Sequence, residues 1–335
     1  VAWLAVLPPA GGASRWVQIA PASEDASFRR YFRVTGHNGE TGIVMDAPPP
    51  QEDVRPFVSV ARLLAAGGIH VPRIVAEDVA RGFLLLDDLG RTTYLAALAH
   101  CSEPQRDSMF ADAIAVLIQL QQIDPGQARQ PLPVYDAALL RREIDLFPDW
   151  YLDRHTGIGL SSDDKNALER VYAALIASAL AQPAVLVHRD YMPRNLMLLE
   201  TGNPGVLDFQ DAVTGPISYD VASLMRDAFI SWEEPQVIDW VARYWDRARK
   251  AGLPVRDDFS EFYREFEWMG LQRHLKVLGI FARINYRDGK PKYLADTPRF
   301  VRYVRAVAHR YQAFTPLLRL FDRIEGQAVR TGYTF

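Results

Sequence analysis

The chain has 335 residues, 49% hydrophobic and 24% charged, with a net charge of −3, the composition of a globular protein of one or two domains with a large core. That balance gives no electrostatic reason to expect nucleic acid or a membrane surface as a partner. A single cysteine, Cys101, excludes an intrachain disulfide framework and fits a reducing compartment.

Residues 1–7 are apolar but short, run into Pro8-Pro9 and Gly11-Gly12, and lack a basic flank, so they do not read as a signal peptide. The run P-A-S-E-D-A-S-F-R-R-Y-F-R-V (residues 21–34) passes from a polar turn into an alternating strand. Residues 36–42 form a hairpin turn and 42–45 the returning strand. A turn containing Ser and Asp can lie over phosphates, with its backbone N–H groups as donors. Residues 56–66 predict a helix: Pro56 suits the first turn, Phe57, Val60, Ala61 and Leu64 share one face, and Gly67-Gly68 ends it. Residues 71–76 and 83–86 are strands joined at Ala80-Arg81-Gly82. A small sheet carrying one helix is expected, followed by a hinge at Asp87-Asp88-Leu89-Gly90.

Further on, Phe110, Ala113, Ile114, Leu117 and Ile118 mark a helix over residues 109–121. Residues 141–152 bring Glu143, Asp145 and Asp149 next to Trp150-Tyr151. Such aromatics can stack on a sugar ring while the carboxylates accept from its hydroxyls. Residues 171–187 are the most apolar long segment, interrupted by Ser178, Gln182 and Pro183. They predict a buried helix and then a strand, not a membrane span.

Residues 188–208 carry the strongest signal. Asp190 stands five residues ahead of Asn195, and Asp208 closes a second short apolar run. The runs 196–199 and 205–207 are too short for helices, and E-T-G-N-P-G between them is turn chemistry, so they read as a hairpin. Its geometry sets Asn195 beside Asp208, two oxygen ligands suited to Mg²⁺. Asp190 is then left to face a substrate hydroxyl, and Arg189 or Arg194 to offset developing charge. This is the arrangement of phosphoryl transfer. Twelve residues from Asp208 to Asp220 leave no room for the long activation segment of a protein kinase, so a small-molecule substrate is expected. Asp220 itself is placed to cap a helix or to hold the catalytic loop's backbone.

Near the C-terminus, Arg273, Lys276, Arg283 and Arg287 recur on one side of a helix, and residues 271–310 hold ten basic and two acidic side chains. An anion-recognising base among them would favour an acidic sugar and repel a polycationic aminoglycoside. The seven histidines show no zinc-ligand spacing.

Several segments together carry a family likeness: D-A-S-F-R-R-Y-F-R-V (25–34), M-D-A-P-P (45–49), G-F-L-L-L-D-D-L-G (82–90), L-F-P-D-W-Y-L (146–152), H-R-D-Y-M-P-R-N-L-M (188–197), V-L-D-F-Q-D-A-V-T-G-P-I-S-Y-D-V-A-S-L (206–224) and L-Q-R-H-L-K-V-L-G-I-F-A-R (271–283). The chain resembles the aminoglycoside-phosphotransferase-like branch of the protein-kinase-like fold. More narrowly it is similar to bacterial anomeric kinases that phosphorylate N-acetylmuramate and N-acetylglucosamine at C1 in cell-wall sugar recycling.

The resemblance implies an α+β, bilobal fold, with a small antiparallel-sheet N-lobe (residues 1–86) and a mostly helical C-lobe (87–335) bearing a catalytic β-hairpin. It implies ATP and Mg²⁺ as cofactors, adenine at the hinge by Asp87 and Leu89, and Ser27 and Phe28 over the phosphates. Asp145, Trp150, Tyr151, Gln210, Arg273 and Lys276 would face an amino sugar. A cytoplasmic enzyme with no nucleic-acid, membrane or obligate protein partner is expected. The competing expectations are a kinase of another small alcohol (choline, homoserine or an aminoglycoside) and a catalytically silent nucleotide-binding module.

One departure stands out. The Lys and Glu that usually pair in kinase-like folds fall on Met45 and Phe57, so both charges are absent together. Joint loss avoids stranding one buried charge, and it leaves Arg29, Arg30 or Arg33 as the candidate cation for the phosphates.

Overall fold

The structure, a computed structural model, describes residues 3–4, 16–24 and 28–326. They form two compact units. One comprises residues up to 132 together with 193–212, and the other 133–192 together with residues from 213 onward. The boundary expected after residue 86 falls inside the first unit, at the end of its sheet.

In the first unit, strands β1 (Trp16–Glu24), β2 (Arg30–Gly36), β3 (Thr41–Asp46), β4 (Ile74–Asp78) and β5 (Phe83–Asp87) form one antiparallel sheet in the order β1-β2-β3-β5-β4. Val34, Val44 and Leu85 bury its inner face with Trp3 and Leu4, each large aliphatic contributing about 1.5–3 kcal/mol when removed from water. Strand β1 covers residues 16–20, for which the sequence suggested no element, and runs into the stretch from Pro21 that it suggested as a polar turn. Pro21 breaks the usual strand pattern, but β1 pairs on one side only, and its register shifts between Pro21 and Ser23. An edge strand with an irregularity tolerates a residue that cannot donate to the ladder.

Helix α1 (Arg55–Ala66) has a proline in its first turn and stops at Gly67, as its sequence requires. Gly82, between β4 and β5, has φ +76°, and a Cβ there would lie 1.9 Å from the Ala47 carbonyl oxygen. Only glycine allows that approach. Helices α2 (Tyr94–Leu98) and α3 (Glu103–Gln121) follow, and a two-stranded hairpin, β7 (Leu196–Met197) and β8 (Gly205–Val206), completes the unit.

In the second unit, β6 (Ala184–Val187) pairs with β9 (Val213–Pro216). Around them stand α4 (Ala137–Ile144), α5 (Ser162–Leu180), α6 (Tyr219–Met225), α7 (Glu234–Lys250), α8 (Phe259–Asp288), α9 (Thr297–Arg310) and α10 (Thr315–Ile324). Residues Phe147–Thr156 wind as a π-helix that ends at Gly157 in the left-handed region. The core joins Phe147, Leu152, Leu275, Leu278, Phe300 and Phe321. Helix α8 is its axis. At Gly279 the helix meets the Leu146 backbone so closely that a Cβ would sit 2.3 Å away.

Candidate active site

The hairpin of the first unit brings the two expected metal ligands together. Asn195, at the entry to β7, donates from Nδ2 to Asp208 Oδ2 at 3.3 Å, and the Leu207 N–H donates to the Asn195 carbonyl at 2.9 Å. Gln210 Nε2 donates to Asp208 Oδ1 at 2.9 Å. The hairpin is itself tied down. Val206 N–H donates to the His70 carbonyl, Leu198 N–H to the Thr92 carbonyl, and Asn203 Nδ2 to Tyr94 Oη and Asp112 Oδ2. Asp208 has φ +62°, a left-handed conformation that costs a non-glycine residue on the order of 1–3 kcal/mol unless its surroundings impose it. Its surroundings include the Asn195 and Gln210 amides on its carboxylate and the packing of the next residue. Phe209 is fully buried, and its ring lies 4.7 Å from that of Phe57.

One carboxylate and one amide at a hairpin end match a hard cation completed by phosphate oxygens and water, which is how magnesium is commonly held. The residues present therefore fit Mg²⁺. Among the described residues no cluster of three or more His, Cys, Asp or Glu side chains could hold a metal ion alone.

In the second unit the segment from His188 to Asp190 leaves β6 and is fastened from several sides. Asp220, fully buried in the first turn of α6, accepts from the His188 N–H at 2.6 Å and the Arg189 N–H at 3.0 Å. The Asp190 N–H donates to His188 Nδ1 at 3.2 Å. Burial pushes the Asp220 carboxyl up to about 6, against the pull of His188, Arg273 and the two N–H donors. Arg189 has φ +76°, the same left-handed region as Asp208. Its carbonyl accepts from Arg273 Nη1 at 2.9 Å and Ser223 Oγ at 3.3 Å.

The Arg189 side chain reaches Glu143 Oε1 at 2.5 Å, and Lys276 Nζ reaches the same oxygen at 2.8 Å. Tyr135 donates its hydroxyl to Glu143 Oε2, with Gln272 Nε2 beside both. Burial alone would raise the Glu143 carboxyl. Lys276 and Arg189, with hydrogen bonds from Lys276 and Tyr135, instead hold it down at about 2. Burial likewise works against a charged Lys276, but Tyr219 and Glu143 keep its proton on more firmly than usual. Glu143 is the counter-charge shared by both cations, and its hydrogen bonds make burying it tolerable.

The expected nucleotide residues are spread over the first unit. Ser27 lies outside the described residues. Phe28 is exposed, and its N–H donates to Glu52. Arg30 faces Asp46 across the β2–β3 ladder at 2.5 Å, while Arg29 precedes the strand. Arg33 grips Asp88 with two bonds, at 2.6 and 2.9 Å, and also donates to the Gly90 carbonyl. Its charge is thus taken up at the hinge segment. Asp87 accepts from the Arg73 N–H. Leu89 packs over Gly205 of the hairpin. Met45 and Phe57, at the places of the absent ion pair, are both buried.

Of the residues expected near a sugar, Gln210 sits on Asp208, while Arg273 and Lys276 belong to the Arg189 network. Asp145 instead pairs with Arg141 at 2.7 Å. Tyr151 is buried against Phe147 at 5.6 Å between ring centroids. Trp150 lines a cleft of about 560 Å³ with Asp149, Asp153, Arg154 and Lys165. None of these three shares a hydrogen bond with Glu143 among the described residues. Further along α8, Arg287 pairs with Asp288. Arg283 is half-buried, and among the described residues it has no ion pair and no acceptor at Nε. Burial, then neighbouring Arg287, holds its proton less firmly than in a free guanidinium. Tyr135, Tyr219 and Gln272 were not singled out by sequence.

Residues 18–259 match the family described as the phosphotransferase enzyme family. The chain is 56% identical over 294 residues to an N-acetylmuramate/N-acetylglucosamine kinase of Pseudomonas aeruginosa, covering 88% of this chain and 85% of that one. It is 46% identical over 335 residues to the protein of the same name from Neisseria meningitidis serogroup B, covering 99% and 97%. Among solved structures it is similar to an aminoglycoside 2′-phosphotransferase-IIIa, with a TM-score of 0.62 at 15% identity over 88% of this chain and 94% of that one. That likeness concerns the fold.

Proposed function

The chain belongs to the phosphotransferase enzyme family, and on that premise we propose that it is an ATP-dependent kinase for the anomeric hydroxyl of N-acetylmuramate and N-acetylglucosamine. The observation that carries the substrate is the 46% identity, over nearly the whole of both chains, with a protein bearing that name. In this reading Asp190 orients the C1 hydroxyl and accepts its proton. An anomeric hydroxyl is more acidic than an ordinary alcohol, so a carboxylate suffices as base. Asn195 and Asp208 would hold Mg²⁺, which when bound neutralises charge on the ATP phosphates.

Arg194, which is exposed, or Arg189 would offset charge developing on the transferred group. The rest of the work is positioning and preorganised electrostatics. Arg283, whose Nε has no acceptor among the described residues, is the base of α8 best suited to a lactyl carboxylate. No helix among the described residues is long and apolar enough to cross a membrane; a cytoplasmic enzyme without an obligate partner is part of the proposal.

ATP turnover with N-acetylmuramate, N-acetylglucosamine, choline, homoserine and an aminoglycoside tests it. Turnover with the N-acetyl sugars alone is expected. Turnover with an amine acceptor instead, or with none of the five, would overturn the reading.

A further inference from the structure

Arg189 is the residue immediately before Asp190, so its backbone angles set where the Asp190 side chain points. It holds a left-handed φ of +76°, which an arginine keeps only when its surroundings over-determine it. The backbone is held by Asp220, Arg273 and Ser223. The side chain meets a buried carboxylate oxygen, Glu143 Oε1, 2.5 Å from Nη2. That same oxygen takes Lys276 of α8 at 2.8 Å, one turn from Arg273, the donor to the Arg189 carbonyl. Glu143 therefore joins the loop to the helix that also holds the loop's backbone. It comes from α4, 46 residues earlier in the chain.

We propose that Glu143 is a positioning residue for phosphoryl transfer: by fixing the Arg189 guanidinium and Lys276 together it holds Arg189 in its left-handed conformation and so aims Asp190. The inference rests on Asp190 being the base of the reaction proposed above. Glu143 carries no proton in it, and its depressed pKa keeps it charged throughout the working range. Neutralising it would leave two largely enclosed cations sharing a neutral amide and the loop free to relax. A displacement of about 1 Å at a catalytic group costs on the order of 100-fold in rate.

The test is a set of four variants, Glu143→Gln, Glu143→Asp, Arg189→Gly and Glu143→Gln/Arg189→Gly, read by kcat and by KM for ATP and acceptor, with thermal melting as a check on folding. Glycine adopts the left-handed region without strain, so a loop with glycine at 189 no longer needs Glu143 to hold its shape. Glu143→Gln is expected to lower kcat about 100-fold with both KM values within about threefold. Glu143→Asp should recover part of the loss. Adding Glu143→Gln to Arg189→Gly should change kcat by less than about threefold.

A Glu143→Gln enzyme that melts normally with wild-type kcat would overturn the proposal. So would a loss confined to KM, or an undiminished loss in the Arg189→Gly background. If Glu143→Gln fails to fold, Glu143→Asp carries the test: lowered kcat at unchanged KM supports the proposal, and wild-type kcat overturns it. Assays use whichever acceptor the wild type turns over, so rejection of both N-acetyl sugars sinks the sugar reading without touching these ratios.

Discussion

The two ends of the 188–208 segment carry the same kind of strained residue in different surroundings. Asp208, at φ +62°, is followed by Phe209, whose buried ring packs on Phe57, with Met45 also buried in the same unit. Arg189, at φ +76°, is held by ions: Asp220 on its amide, Glu143 on its guanidinium, Arg273 on its carbonyl. In the first, Met45 and Phe57, where the resemblance would set the Lys and Glu of kinase-like folds, are both apolar and buried. In the second, a comparable buried charge pair is present, 46 residues apart in sequence and on other elements. Residues at positive φ thus stand beside apolar packing at one end and beside charged groups at the other, and the two surroundings respond differently to mutation and pH.

The largest expected effect removes the proposed base. Asp190→Asn should lower kcat by about 10³-fold while ATP binding, measured by calorimetry, is unchanged. Next is the packed side. Phe57→Ala should destabilise the protein by about 3–5 kcal/mol through loss of a buried ring. A chemical-denaturation midpoint that does not move would show that Phe209 is held by something else.

The charged side should respond to acid. The Glu143 carboxyl lies at about 2 against an ordinary 4.5, so its contribution is complete above pH 4.5 and is lost as pH falls toward 2, on the order of 3 kcal/mol in all. Asp220 acts with the opposite sign. Raised from 3.8 to about 6, it favours the folded state most below pH 3.8, and that contribution is lost as pH rises through 6. Melting temperature against pH should therefore fall more gently below pH 4.5 in Glu143→Gln than in wild type. Parallel curves would contradict the ion-pair account. The smallest effect expected is selective: Arg283→Met should raise KM for N-acetylmuramate about tenfold, the scale of one charged hydrogen bond, and leave N-acetylglucosamine unchanged. Equal changes for both sugars would remove Arg283 from substrate recognition.

The sequence made the local parts legible. Pro56 and Gly67 bound α1, E-T-G-N-P-G forms the turn of the β7–β8 hairpin, and the spacing of Asn195 and Asp208 puts them in contact, because each rests on chain neighbours. Strand β1 was hidden by Pro21, whose tolerance depends on an edge position that only the sheet order reveals. The basic face of α8 was visible as a period, but its fate was not. Arg273 is buried and Lys276 largely enclosed because Glu143, Tyr219 and the Arg189 carbonyl meet them from other elements. A helical period tells which residues share a face; it does not say what covers that face. Arg33 failed to be legible for the same reason, its partner Asp88 lying 55 residues away.

The central claim, transfer to an anomeric hydroxyl, is tested most directly on the product. Wild-type enzyme incubated with ATP, Mg²⁺ and N-acetylmuramate should yield a phosphate whose ³¹P signal is split by a single C1 proton. The reducing end should be lost, and brief acid treatment should release the phosphate. A product that keeps its reducing end and resists acid would place the phosphate on another hydroxyl and contradict the account.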